Sequence, residues 1–176
     1  MNRRIATTAM LLALGSALVG CGSDDERRPV KPPSAGARFV TDELPAGITV
    51  SLQESSVDED VVVLDIVQQG AGPVYGLAFR LETEGEILGL GSILPGDAFG
   101  AALTRAVEPE PGLTVGVITK RGEEAGVDTS ILGSVTLTRK SSAGTRVTFV
   151  PTRSRLFDEH AQPIADVTFV GGELVR

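Results

Sequence analysis

The chain has 176 residues, 16 Lys and Arg against 23 Asp and Glu, a net charge of −7, one Cys, one His and no Trp. That balance leaves no clustered basic face for a phosphate backbone, which excludes nucleic acid as a partner. One Cys cannot form an internal disulfide, and one Cys with one His cannot build a Cys/His metal site. The 21 Gly and 10 Pro point to many turns, which suits an all-β fold.

The first twenty residues read as an address. Arg3 and Arg4 precede an uncharged run from Ile5 to Val19, the n-region and h-region of a secretory signal. The run is short for a membrane span, which needs about 20 apolar residues. It ends in Leu18-Val19-Gly20-Cys21, which resembles the lipobox of bacterial lipoproteins. That resemblance implies cleavage before Cys21 and lipidation of its thiol, hence a lipid-anchored protein of the cell envelope. Gly22, rather than Asp, follows the cysteine, so the resemblance favours the outer membrane over the inner. Loss of residues 1–20 removes Arg3 and Arg4 and takes the net charge from −7 to −9. Residues 21–36 are polar, mixed in charge and Pro-rich, the composition of a disordered tether. At ~3.1 Å per residue in polyproline geometry it would reach about 45 Å.

Residues 37–176 carry the folded domain. Arg38–Thr41 reads as a short lead-in strand. Ile48, Val50 and Leu52 alternate with polar residues, a half-buried strand. Val61–Glu82 reads as two long strands joined by a Gly/Pro turn, the centre of a sandwich. In its second half Tyr75, Leu77, Phe79 and Leu81 share the buried face, while Ala78, Arg80 and Glu82 share the wet one. Glu86–Leu94 is apolar and Gly-interrupted, so a bulged strand. Ala101–Val107 fits a strand or one helical turn. Leu113, Val115 and Val117 alternate with Thr114, Gly116 and Ile118; with Leu113, Val115 and Val117 placed inward, Thr114, Gly116 and Lys120 fall outside. Arg121–Asp128 reads as a loop, Ile131–Thr138 as a strand, and Val147–Pro151 as a strand. Arg155–Pro163 is polar around Leu156 and Phe157. Val167–Val170 and Glu173–Val175 close the chain, broken at Gly171-Gly172. About nine strands at roughly ten-residue spacing predict an antiparallel β-sandwich or barrel. A domain of about 140 residues buries roughly two thirds of its unfolded surface, enough for a core without disulfides or metal.

From about Gly47 to Arg176 the ordered runs resemble the cohesin domain family. The runs are DVVVLDIVQQG and VYGLAFRLE (60–82), LGLGSILPGDAFG (88–100), LTVGVITKRG (113–122), ILGSVTLTRK into GTRVTFV (131–150) and DVTFVGGELV (166–175). The resemblance implies a nine-stranded jelly-roll sandwich, related to carbohydrate-binding modules, with a dockerin-like protein as partner. The chain departs from that family at Glu82-Thr83-Glu84-Gly85, where cohesins usually carry a Tyr-Asp-Pro-like turn.

Nothing in the sequence selects catalytic chemistry. His160, in Asp158-Glu159-His160, has carboxylates beside it in sequence, not a nucleophile and orienting acid brought to it by a fold. Asp58, Glu59 and Asp60 lack the spacing of a calcium loop and suit the entrance of a strand. Gly89-Leu90-Gly91 lacks the third glycine and the helix of a dinucleotide site. The expectation is therefore a non-enzyme without cofactor or metal. It would bind another protein through a sheet face that includes Ala78, Arg80, Thr114, Gly116 and Lys120, whose mixed polar and small character suits a wet interface. The alternatives are a carbohydrate-binding module linked to polysaccharide degradation, or a structural envelope lipoprotein without a specific ligand. The sugar reading lacks an aromatic platform, since Tyr75 and Phe79 fall inward.

Overall fold

A computed structural model describes residues 36–121 and 126–176. The signal segment, Cys21 and the tether as far as residue 35 lie outside the described residues, as do residues 122–125 of the Arg121–Asp128 loop.

The described chain is built of strands: β1 (Arg38–Thr41), β2 (Thr49–Val57), β3 (Val61–Gln69), β4 (Val74–Thr83), β5 (Leu88–Pro95), β6 (Ala102–Glu110), β7 (Leu113–Lys120), β8 (Ile131–Arg139), β9 (Thr145–Phe149), β10 (Arg155–Asp158), β11 (Thr168–Val170) and β12 (Gly172–Val175). Short 3₁₀ turns occupy Asp97–Phe99 and Pro151–Arg153. The count is twelve where the turn spacing predicts about nine. Two features account for much of the surplus. The polar Arg155–Asp158 segment is a strand, because β4 offers it a free edge. The closing run divides at Gly171 into strands of different sheets.

The strands form two facing sheets. One has the order β1-β12-β9-β4-β7-β6, with β10 also on β4; the other has the order β11-β2-β3-β8-β5. Pairing is antiparallel throughout except between β11 and β2. Two long strands at Val61–Thr83 appear where the alternation places them, but they do not pair with each other. β3 lies in the five-stranded sheet and β4 in the seven-stranded one, so Gly70–Pro73 crosses the sandwich instead of closing a hairpin. Gly70 has φ +80, and a Cβ there would meet the Gly47 carbonyl oxygen at 2.8 Å, so the crossing requires glycine. The ambiguous stretch after Gly100 resolves as the nine-residue edge strand β6. Irregular pairing at Leu90/Ser92 gives β5 the expected bulge.

The core fills the space between the sheets. Val62, Leu64 and Ile66 from β3 meet Leu77, Phe79 and Leu81 from β4, with Ile118, Leu132, Val135, Leu137, Val147 and Leu174 around them. Each such side chain contributes about 1.5–3 kcal/mol when fully removed from water. Three rings link the sheets at one end. Phe79 and Phe149 meet edge-on at 6.4 Å, and Phe149 tilts against Phe169 of the other sheet at 5.3 Å.

Candidate binding face

In an antiparallel pair, directly opposed residues project to the same face. Leu77 opposes Ile118, Phe79 opposes Gly116 and Leu81 opposes Thr114, and all six are buried. Thr114 and Gly116 therefore face the core, contrary to the expectation that they lie outside. Lys120 follows the same phase, opposite Ala102 at the strand end, and is half-buried. The physical reason is Phe79. Its ring lies over Gly116, where an added Cβ would overlap three ring atoms. That requirement fixes the phase of β7 and turns Val115 and Val117 out to the surface. Ala78 and Arg80 project outward as the alternation predicts, both half-buried.

The outer face of the seven-stranded sheet can be followed in rows across β10, β4, β7 and β6. The first row is Phe157, Gly76, Thr119 and Leu103; the second is Arg155, Ala78, Val117 and Arg105. The third is Arg80, Val115 and Val107, and a fourth, beside the β6–β7 turn, is Glu82, Leu113 and Glu110. Leu103 is 48% exposed, Val107 44% and Val115 38%. Together with Val117 and Ala78 they form a contiguous apolar strip on a regular sheet surface. Arg80 sits at its margin, with Nε 3.8 Å from Glu82 and Nη2 3.7 Å from Glu110. Leu103, Arg105 and Val107 lie in the stretch whose pattern fits either a strand or one helical turn, so the sequence does not place them on a face. Their signal is the alternation Leu103-Thr104-Arg105-Ala106-Val107.

Two side chains hold this face where the backbone ladder cannot. β4 pairs with β9 over Leu81–Thr83 and with β10 over Val74–Ala78. Between them Pro151–Arg153 loops out of the sheet. There the buried Ser154 Oγ accepts from the Arg80 N–H (3.2 Å) and donates to the Val150 carbonyl (3.0 Å), while Val150 N–H donates to the Arg80 carbonyl (2.8 Å). A serine hydroxyl thus replaces a missing ladder bond directly beneath Arg80. On the far side, β6 pairs only with β7. Glu108 extends from it to accept from the Leu90 N–H of β5 (3.0 Å) and the Gly112 N–H (3.3 Å), and pairs with Lys140 Nζ at 3.5 Å. Burial pushes its carboxyl up, but the two backbone donors and the Lys140 ammonium outweigh this and hold it below its ordinary value of 4.5.

Other surfaces offer less. A hollow of about 380 Å³ lies between Pro151, Leu156, Ile164 and Phe169, and one of about 410 Å³ between Asp65, Asp97, Ser130 and Ile131. His160 is 78% exposed, in a turn where Asp158 Oδ1 accepts from the His160 and Gln162 N–H groups. Asp58 N–H donates to the Val61 carbonyl in the β2–β3 turn, as expected of a strand entrance. Among the described residues no three His, Cys, Asp or Glu side chains gather as a metal site.

No family model matches the chain, and no curated protein does. Solved structures do. The third ScaC cohesin of Acetivibrio cellulolyticus, in complex with the ScaB dockerin, superposes with a TM-score of 0.57 at 16% identity, over 72% of this chain and 96% of that one. A type II cohesin domain from the cellulosome of the same organism gives 0.55 at 14%, over 72% and 93%. The cohesin of a type I cohesin–dockerin complex from Clostridium thermocellum, Coh-OlpC–Doc435, gives 0.55 at 12%, over 75% and 94%.

The fold is cohesin-like.

This cohesin-like domain carries its exposed apolar strip on β4, β7 and β6. Phe157 brings an aromatic ring to that face, half-buried opposite Gly76.

Proposed function

We propose that the chain is a non-catalytic protein-binding module that seats a partner protein on the outer face of β4, β7 and β6. The exposed strip of Leu103, Val107 and Val115 carries the reading, because an apolar patch on a regular, rigid sheet leaves water only when another surface covers it. Two of the similar structures are cohesins in complex with dockerins, which supports a dockerin-like protein as the class of partner. The lipobox resemblance at Leu18–Cys21 supports a lipid anchor at the bacterial cell envelope, with the outer membrane preferred.

Two experiments test this. A photo-crosslinking amino acid at Val115, in the full chain in its own cells, is expected to capture one discrete protein, whereas the same group at Val63 of the opposite sheet does not. Equal capture from both positions would overturn the proposed face. Cys21→Ser is expected to move the protein from the membrane fraction to the soluble one and to abolish labelling by a fatty-acid analogue. Retention in the membrane with unchanged labelling would overturn the anchor.

A further inference from the structure

The strip is bordered by guanidinium groups in a protein that is otherwise acidic. Arg155 and Arg105 end the second row, three strand spacings apart across Ala78 and Val117, which is about 14 Å at ~4.8 Å per strand. Arg80 begins the third row. The carboxylates of this face, Glu82 and Glu110, lie in the fourth row and both engage Arg80. Arg155 Nη1 donates to the carbonyls of Pro151 (3.2 Å) and Ser154 (2.7 Å), which orient it without neutralising it. Arg105 is exposed between Leu103 and Val107 and has no ion pair or hydrogen bond among the described residues. Among the described residues, two of the three arginines in these rows are therefore uncompensated, against a background of −7 for the whole chain.

We propose, resting on the reading above, that the partner meets this strip with an apolar ridge flanked by carboxylates, and that Arg105 is the residue that selects for them. A guanidinium beside partly desolvated apolar surface pairs strongly with a carboxylate, because its fork matches both oxygens and its hydration is weak. A polyphosphate chain or a phospholipid surface suits the face poorly. Leu103, Val107, Val115 and Val117 give it nothing to contact, and Glu82, Glu110 and the net charge repel it. The charge also serves specificity, since a basic partner surface would meet Arg105 and Arg155 as like charges at both borders of the strip.

The test extends the Val115 crosslink. The captured segment, sequenced as the crosslinked peptide, is expected to carry Asp or Glu beside apolar residues. Arg105→Glu is expected to lower the yield about ten-fold, whereas Arg105→Lys, which keeps the charge and loses the fork, lowers it less. Replacing the partner's captured carboxylate with Lys is expected to restore capture by the Arg105→Glu protein. Thermal melts of the variants check that this exposed position leaves folding unchanged. If Arg105→Glu captures the same protein at the same yield, or if the captured segment lacks acidic residues, the charge inference falls and the face survives. If Val115 captures no more than Val63, the face falls and the inference falls with it.

Discussion

The two sheets obey the same rule on their outer surfaces and fill it differently. On the five-stranded sheet, the half-buried Val61, Val63 and Val67 of β3 alternate with Asp65. They lie opposite Thr138, Thr136, Ser134 and Ile131 of β8, with Gln53 and Ser51 of β2 on the other side. Val61 and Val63 have threonine hydroxyls directly opposite, so water finds polar partners between their methyl groups, while Val67 lies between Ile131 and the buried Ser51. The exposed apolar side chains near that face, Leu94 and Ile131, lie at one end beside the hollow at Asp97. On the seven-stranded sheet, Val115 lies between Arg80 and Val107, and Val117 between Ala78 and Arg105, so each valine has an apolar neighbour on one side and an arginine on the other. β-branched residues are what any strand favours, so valine on an outer face is not by itself a sign of binding. What distinguishes the two faces is exposure and charge. On one, threonines stand between half-buried valines and Asp65; on the other, Leu103, Val107 and Val115 are exposed beside arginines.

The largest effect that would break this comparison is at Gly116. If the glycine lay on the wet face, valine there would be harmless. Because it lies under the Phe79 ring, Gly116→Val should cost about 3 kcal/mol or more, since Phe79 is 1% exposed and has no room to retreat. Thr136→Val on the other sheet should stay within about 0.5 kcal/mol. Urea denaturation of the two variants compares them, and equal costs would reverse the assignment of the two faces of β7.

Gly116 also marks where the sequence stops being legible. The β4 alternation is unambiguous, because Leu77, Phe79 and Leu81 are large and Arg80 and Glu82 are charged. In β7 both phases carry apolar residues. Counting them favours Leu113, Val115 and Val117 as the core side, while the true core side holds Thr114, Gly116 and Ile118. Local pattern cannot decide between these phases. The deciding contact, between Phe79 and Gly116, joins residues 37 positions apart and depends on register. The same holds for β10. Arg155–Asp158 has little strand character of its own and is a strand because β9 ends short and leaves the β4 edge open. The overall sandwich is legible because the glycines and prolines that break the alternation act locally. The half of the candidate face on β6 is not, since an edge strand with small and charged residues has a weak period.

Two further substitutions test how each border of the face is held. Ser154→Ala removes the hydroxyl that satisfies the Arg80 N–H, and a buried donor left unpaired costs about 1–3 kcal/mol. Hydrogen exchange at Arg80 should accelerate with it; unchanged exchange would mean that the backbone closes the gap without the side chain. At the other border, Glu108→Gln should cost about 1 kcal/mol near pH 7 and leave a signature in pH. The carboxyl is held below 4.5 when folded, so its contribution is full above the unfolded value and is lost as pH falls through the folded one. Wild-type melting temperature should therefore drop more than that of Glu108→Gln between pH 5 and roughly pH 3. Parallel profiles would show that the clasp on Leu90 adds nothing to stability.

The smallest effect separates stability from binding. Val115→Thr changes a methyl to a hydroxyl of the same shape on a side chain that already meets water. In the isolated protein it should shift stability by no more than about 0.5 kcal/mol. Val63→Thr makes the same change where the valine is half-buried opposite Thr136, and the added hydroxyl there should cost about 1 kcal/mol unless it bonds its neighbour. On stability alone Val115 is then the more dispensable residue. If a partner covers the strip, the order reverses in the complex. The hydroxyl at position 115 becomes a polar group buried against an apolar ridge, and partner capture should weaken several-fold with no change in the melting temperature. A chain with an unoccupied sheet face would show the first half of this pattern and never the second.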